Sequence, residues 1–330
     1  MHAIRQYEFG GPEKLVWEEV PDLSPAADQV RIDVRASGVH LVDTSIRKGD
    51  IAHTPWGLPD LPMTPGREAA GVVDAVGEDV DPAWVGKRVV AHLGFASGGY
   101  ADSAVREVTA VHEIPEGAGF AQALAVIGTG RTTLIVLHYA GLSADDTVIV
   151  TAAAGGIGNL LVQEAKRVGA FTVGLAGGPE KARRVLDAGA DAAVDYRAED
   201  WSASLERALE GREATVLLDG VGGEAADTAF EQIVPGGRVL VFGWSSGSAV
   251  PVDAQRLMDR GVSFIPSLGP HAVAAAGGLP KLEREALRRL AQGEWRPLVS
   301  RFPMDGAAEA HRALEERLTA GKVVLERAES

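Results

Sequence analysis

Thr147-Val148-Ile149-Val150-Thr151-Ala152-Ala153-Ala154-Gly155-Gly156-Ile157-Gly158 is the stretch on which the reading of this chain turns. Its first four residues are apolar or β-branched and follow Asp145-Asp146, as expected of a short strand buried on both faces. From Asn159 to Val168 apolar residues recur at helical spacing, and Gly169 is placed to end the helix. A glycine-rich turn therefore joins a strand to a helix N-terminus. There, free amides and the helix dipole favour a phosphate, and missing Cβ atoms admit a pyrophosphate. Such turns also arise from tight packing alone. Here a second strand over 171–176 and a helix opening at Gly177-Gly178-Pro179-Glu180-Lys181 follow in the order that a dinucleotide site requires.

The end of the second strand bears on the cofactor. A site for the unphosphorylated dinucleotide places Asp or Glu about twenty residues past the glycines, on the ribose hydroxyls. This chain has Ala176 and Gly177 there, followed by Lys181, Arg183 and Arg184. The missing acid and the nearby cations suit the 2′-phosphate of NADPH. The alternative for the three cations is a solvated helix face. Glu180 fits the first turn of the next helix, where a carboxylate favours the dipole.

Working outward, strand and helix patterns alternate from Phe120. Helices are expected at 120–140, 156–168, 179–188, 203–209 and 225–233, with strands at 147–150, 171–176, 192–194, 215–219 and 238–242. That is an α/β doubly wound parallel sheet. The region before residue 120 is β-rich, with an alternating strand over 30–36 and further strand candidates over 71–77 and 88–91, and residues 50–65, which carry four prolines, read as a loop. After about residue 265 come helices near 281–292 and 306–319 and a strand over 322–325, a tail expected to return to the first domain. The expected domains are 1–120 with 265–330, and 121–264.

Composition narrows the functional classes. With 330 residues, two cores are the better expectation. A net charge of −14 without a basic stripe argues against nucleic acid and anionic membrane as partners. No apolar stretch reads as long enough to span a bilayer. Met1-His2-Ala3-Ile4-Arg5 lacks the layout of a signal peptide, so the default expectation is cytoplasmic. The absence of cysteine excludes disulfides, thiolate nucleophiles and cysteine-ligated zinc.

Further motifs follow one another along the whole chain: Gly38-Val39 with Asp43, Ile46-Arg47 with Gly49, Pro65-Gly66 with Glu68, Ala70, Gly71 and Val73, Val76-Gly77, Gly86 with Arg88-Val89, Gly98-Gly99-Tyr100-Ala101, Ile114-Pro115-Glu116-Gly117, Gly130 with Thr132, Asp219 with Val221-Gly222-Gly223, Pro235-Gly236-Gly237-Arg238, and Gly321-Lys322 with Val324-Leu325. In this order they resemble the medium-chain dehydrogenase/reductase superfamily, in its zinc-free, zeta-crystallin-like quinone oxidoreductase branch. The resemblance implies a GroES-like β-rich catalytic domain plus a Rossmann cofactor domain, an active site in the cleft between them, a homodimer and NADPH. It implies that Gly155, Gly156, Ile157 and Gly158 hold the pyrophosphate. Gly177, Lys181 and Tyr196 would surround the adenosine ribose phosphate. Thr132, Val221, Phe242, Gly243, Lys322 and Val324 would lie near the nicotinamide half. Apart from the resemblance, Tyr196 reads equally as a surface residue, Val221 and Phe242 as sheet core, and Thr132 as bonded to its own helix.

Zinc-dependent members of the superfamily carry ligands at places where this chain has His40, Arg67 and a residue of 127–129. Arginine stays protonated and cannot ligate zinc. His40 with Asp43 and Glu68 is the one alternative donor set, and the expectation is no metal. Without a Lewis acid, alkoxide formation from simple alcohols loses its main aid. Hydride transfer to a conjugated carbonyl instead leaves charge that ordinary donors can hold. The expected reaction is NADPH-dependent reduction of a small-molecule quinone, enone or related conjugated carbonyl, with an enoyl-thioester or alkenal reductase and a non-catalytic cofactor-binding sensor or structural protein as alternatives. His40 stands where many relatives have Asn, and it is a candidate to donate a hydrogen bond or relay a proton, or else lines the cleft passively. Arg47 is a candidate for an oxyanion, with a salt bridge to Asp43 or Glu68 as the alternative. Ser45 replaces a tyrosine that follows Asp-Thr in many relatives, which weakens any tyrosine-based proton donation. A serine-hydrolase pattern, Gly243-Trp244-Ser245-Ser246-Gly247 with Asp253 or Asp305 and His311, is countered by Ser248-Ala249-Val250-Pro251, which cannot continue as the helix that an elbow needs.

Overall fold

The computed structural model describes residues 1–50, 57–94 and 98–328. It divides into two compact units, Met1–Thr129 with Glu283–Ser330, and Gly130–Leu282.

The first unit carries β1 (His2–Arg5), β2 (Val16–Glu19), β3 (Gln29–Val39), α1 (Leu41–Lys48), β4 (Glu68–Val76), β5 (Arg88–His92), β6 (Ser103–Glu107) and β7 (Val111–Glu113). Helix α2 (Phe120–Ala140) follows. The second unit continues with β8 (Thr147–Val150), α3 (Gly156–Val168), β9 (Phe171–Ala176), α4 (Pro179–Asp187), β10 (Ala192–Asp195), α5 (Trp201–Ala208), β11 (Ala214–Asp219), α6 (Gly223–Glu231), β12 (Ile233–Val241), α7 (Ala254–Arg260), β13 (Ser263–Pro266) and α8 (Pro270–Ala275). Then come α9 (Leu279–Ala291), β14 (Val299–Pro303), α10 (Ala307–Glu315) and β15 (Lys322–Glu326).

In the first unit a seven-stranded sheet runs β14-β15-β3-β4-β5-β7, with β6 also paired to β3. Apart from β14 on β15, the pairings are antiparallel. Alternate residues of β3 (Val30, Ile32, Val34) turn into one core with Val73, Val89, Tyr100 and Leu325. The order β15-β3-β4 sets Lys322 and Glu68 on either side of Gly38, because Val323 pairs with Val39 and Ala69 with Ser37.

In the second unit six parallel strands run β10-β9-β8-β11-β12-β13. The chain winds outward from β8 through β9 to β10, then returns to β11 on the other side. The switch point lies between β8 and β11, where open α/β sheets bind ligands at the carboxyl ends of their strands. Val148 and Val150 face one core layer and Ile149 the other, which is why β8 reads as continuously apolar.

Three details depart from expectation. Helix α6 stops at Glu231, and Ile233 already pairs with Ala214. The β11–β12 register then shifts across Pro235-Gly236-Gly237, where Pro235 lacks an amide and Gly236 has φ 87°. Helix α10 ends at Glu315, short of 319, because Arg317 takes a left-handed conformation and Leu318 N–H turns back to Ala313 C=O. Helix α2 is 21 residues long and apolar enough to cross a membrane by length and composition, contrary to the reading that no stretch reaches that length. The window that meets this criterion is 72% buried inside the protein, as a core helix would be. Of the expected loop at 50–65, residues 51–56 lie outside the described residues; 57–65 contain no helix or extended strand.

Candidate active site

The first unit builds a buried ion cluster at the end of β3. His40 precedes α1, and Asp43, at the third helical position, reaches back to accept the His40 N–H at 2.8 Å. His40 Nε2 lies 2.9 Å from Glu68 Oε1 and 2.9 Å from Lys322 Nζ, and Lys322 Nζ lies 2.8 Å from Glu68 Oε2. Glycine makes room for this arrangement. A Cβ on Gly38 would meet Glu68 Oε2 at 2.2 Å, and one on Gly128 would meet Glu68 Oε1 at 1.9 Å. Glu68 and Lys322 are buried, and the His40 side chain, 21% exposed, is the member open to solvent. Burial would raise the Glu68 carboxyl, but the facing His40 and Lys322 win and hold it well below the usual carboxylate range. Burial lowers the Lys322 ammonium against the pull of Glu68.

A second buried network braces α1. Tyr100 Oη donates to Asp43 Oδ2 at 3.3 Å and lies 3.1 Å from His311 Nε2. Burial raises the Tyr100 hydroxyl well above its ordinary value, and burial pushes His311 down to about 4. Arg47 is fully buried, and its partners are not the expected Asp43 or Glu68. Its Nη2 donates to Glu315 Oε1 at 2.7 Å and its Nε to Gly10 C=O at 3.0 Å. A guanidinium enclosed in this way ties α1 to α10 and presents no face to a substrate oxyanion, so the expected substrate role does not hold. His311 is likewise enclosed, and the chain after Ser245 enters no helix before Ala254, so the hydrolase pattern has neither its base nor its elbow.

The second unit carries the glycine turn. Gly155 precedes α3 in extended conformation, and Asn159 N–H donates to Gly155 C=O, which leaves the amides of Gly156, Ile157 and Gly158 as the first-turn donors without helical acceptors. Ala152 is left-handed (φ 46°), and its carbonyl lies 2.3 Å from where a Gly158 Cβ would stand. The turn therefore closes onto the helix only with glycine there. The expected cofactor residues Gly177 and Tyr196 come together: Tyr196 N–H donates to Ala176 C=O, and the hydroxyl lies 2.8 Å from the Cβ position of Gly177. Lys181 is half-buried on the first turn of α4. Arg183 and Arg184 of the same helix are engaged by Asp187 at 3.6 Å and Glu180 at 2.7 Å.

At the ends of β11 and β12, Val221, Phe242 and Gly243 also converge. The buried Asp219 accepts from Thr151 Oγ1 at 2.7 Å and from the amides of Val221 and Gly222 at 2.9 and 3.1 Å. Burial raises its carboxyl above the ordinary value. Phe242 N–H donates to Asp219 C=O, and its ring covers Gly220. Thr132 is half-buried within α2 in this unit. Val324 is buried in β15 opposite Gly38, on the same strand face as Lys322. Sequence reading linked His40 with Glu68 only as possible metal ligands; it missed Lys322 as their partner, since 282 residues separate Lys322 from His40.

The chain matches two family models, "Alcohol dehydrogenase GroES-like domain" over residues 26–124 and "Zinc-binding dehydrogenase" over 156–290. It is 32% identical over 321 residues to a quinone oxidoreductase of Pseudomonas aeruginosa, covering 96% of this chain and 97% of that one. It is 30% identical to a 2-haloacrylate reductase of Burkholderia, covering 97% of each. The crystal structure of Escherichia coli quinone oxidoreductase complexed with NADPH superposes with a TM-score of 0.84 at 29% identity, covering 99% of this chain and 100% of that one. The chain belongs to the medium-chain dehydrogenase/reductase superfamily, in its quinone oxidoreductase branch. It is an oxidoreductase.

The zinc in the family description does not fit the donors present. Among the described residues no group of three His, Asp or Glu side chains converges. The Lys322 ammonium contacts both His40 and Glu68, and Asp43 is engaged by the His40 amide and Tyr100. An ammonium in contact with both candidate donors opposes a divalent cation by charge.

Proposed function

We propose that this oxidoreductase uses NADPH to reduce a quinone or related conjugated carbonyl without zinc. What carries the reading is the glycine turn at the carboxyl end of β8, at the switch point of the parallel sheet, shaped so that only glycine fits at 158. The likeness to an NADPH-complexed quinone oxidoreductase over nearly the full length supports it. When bound, NADPH supplies a hydride to a conjugated carbon of the acceptor.

The residues of the chain do the rest. The amides of Gly156, Ile157 and Gly158 hold the pyrophosphate. Gly177, Lys181 and Tyr196 surround the adenosine ribose. Val221, Phe242, Gly243 and Thr132 shape the nicotinamide side. His40, the member of the cluster open to solvent, stands at the acceptor oxygen, and Lys322 acts through it: the buried Glu68–Lys322 pair fixes the imidazole. The same reading makes the protein a homodimer.

Reduction of an activated C=C bond is the second reading, favoured by the likeness to a 2-haloacrylate reductase. Both are tested by following oxidation of NADPH and NADH with phenanthrenequinone, benzoquinone and a conjugated enone, with and without EDTA. NADPH-preferring turnover that ignores EDTA supports the proposal, and the better acceptor separates quinone from alkene chemistry. Loss of activity in EDTA, or preference for NADH, overturns it.

A further inference from the structure

The cations read from the sequence as partners of a 2′-phosphate are Lys181, Arg183 and Arg184. In the structure Arg183 and Arg184 are bound along their own helix to Asp187 and Glu180, four residues away in each case. The acid expected of an unphosphorylated dinucleotide site is also missing, since β9 ends at Ala176 and Gly177 follows it.

A different cation occupies the neighbourhood. β10 runs parallel to β9, with Asp195 opposite Ala176, so the two residues after it, Tyr196 and Arg197, emerge beside Gly177. A Cβ at Gly177 would find Tyr196 Oη at 2.8 Å, Tyr196 Cζ at 3.1 Å and Arg197 Cδ at 3.3 Å. The glycine thus forms a floor on which a phenol and an arginine stem lie side by side. Two acids stand two residues from Arg197 in sequence: Asp195 is spent on backbone, its Oδ1 accepting the amides of Gly178 at 2.7 Å and Arg197 at 3.0 Å, and Glu199 makes no ion pair with Arg197. Arg197 is exposed, and its guanidinium has no ion-pair partner among the described residues. Its neighbour Asp200 is taken by Arg207. Arg197 carries a guanidinium without an ion-pair partner among the described residues, on a stem that lies beside the Tyr196 ring at the end of the second strand, and a guanidinium offers the fork that a phosphate monoester takes in bidentate fashion.

We propose that Arg197 recognises the 2′-phosphate of the cofactor, with the Tyr196 hydroxyl beside it, and so sets the preference for NADPH over NADH. This rests on the NADPH reading above. The arginines of α4 contribute less, because each is directed along its own helix to a carboxylate.

Dissociation constants of NADPH, NADH and 2′,5′-ADP, measured by fluorescence quenching without any acceptor, test it. Arg197→Ala should weaken NADPH and 2′,5′-ADP by about tenfold or more, the range of one charge-assisted hydrogen-bond pair, and leave NADH within about twofold. Arg197→Glu should weaken NADPH further, and Arg197→Lys should recover part of the loss. Unchanged thermal unfolding of the variants shows that the effect is local. An unaltered NADPH/NADH ratio in Arg197→Ala overturns the proposal, as does a collapse of that ratio in Arg183→Ala or Arg184→Ala. Wild-type protein that binds NADH as tightly as NADPH overturns the cofactor reading itself, and the two failures are told apart by the wild-type ratio alone.

Discussion

Lys322 Nζ lies 2.8 Å from Glu68 Oε2, with both side chains buried, and the pair closes around Gly38 at the junction of three strands. Removing one partner leaves the other charge enclosed. Lys322→Met should therefore lose about 3–5 kcal/mol of unfolding free energy in urea. Adding Glu68→Gln to that variant should recover part of the loss. Because the folded Glu68 carboxyl lies below its unfolded value, its contribution is present above the usual carboxylate range and is lost as the pH falls through its depressed value. Equal destabilisation in the single and double variants would show that the pair is not what holds this region.

His311 is buried against Tyr100, and burial lowers it to about 4. The unfolded chain binds a proton near the ordinary histidine value of about 6.5, whereas the folded chain resists it. Stability from this group is thus complete above about pH 6.5 and declines as the pH falls toward 4, by roughly 3 kcal/mol in all. Denaturant unfolding across that window should show a drop in the wild type that His311→Gln lacks. Parallel curves would exclude His311 as its source.

Gly158→Ala directs a methyl at the Ala152 carbonyl, 2.3 Å away. The turn must open, which moves the amides of the cradle. NADPH affinity should fall more than about tenfold, the equivalent of roughly 1.4 kcal/mol. Titration of the purified variant with NADPH, followed by cofactor fluorescence, reads this directly.

Asp219 anchors the turn that carries Val221. Asp219→Ala strips a partner from Thr151 Oγ1 and from two buried amides. A loss of about 3 kcal/mol in stability is expected. NADPH binding should weaken in the fraction that remains folded, and isothermal titration below the unfolding midpoint measures it.

His40→Ala should lower turnover with the best acceptor by more than about tenfold while NADPH affinity stays intact. Retained turnover would reduce His40 to a wall of the site.

Much of the second unit was legible because its signals are local. Four β-branched residues, a glycine turn, an amphipathic helix and a second strand follow one another within 147–176, and each element appears with the bounds that its own residues suggest. Boundaries failed where a backbone conformation decided them, as at Arg317, or where pairing with a distant strand captured a residue, as Ala214 did Ile233. The first unit was harder to read because its strands are paired across long separations. β15 is joined to β3, and nothing near Lys322 announces Glu68.

The sequence by itself determined the α/β class, the glycine turn and the absence of an acid at the end of β9, since these depend on residue type and short-range spacing. Tertiary structure decided which charges meet. It enclosed Arg47 with Glu315, set Lys322 against both His40 and Glu68, bound Arg183 and Arg184 along their helix, and left Arg197 open beside Gly177. A charged side chain acts according to whether it is desolvated and paired, and only the folded arrangement of distant strands and helices fixes that.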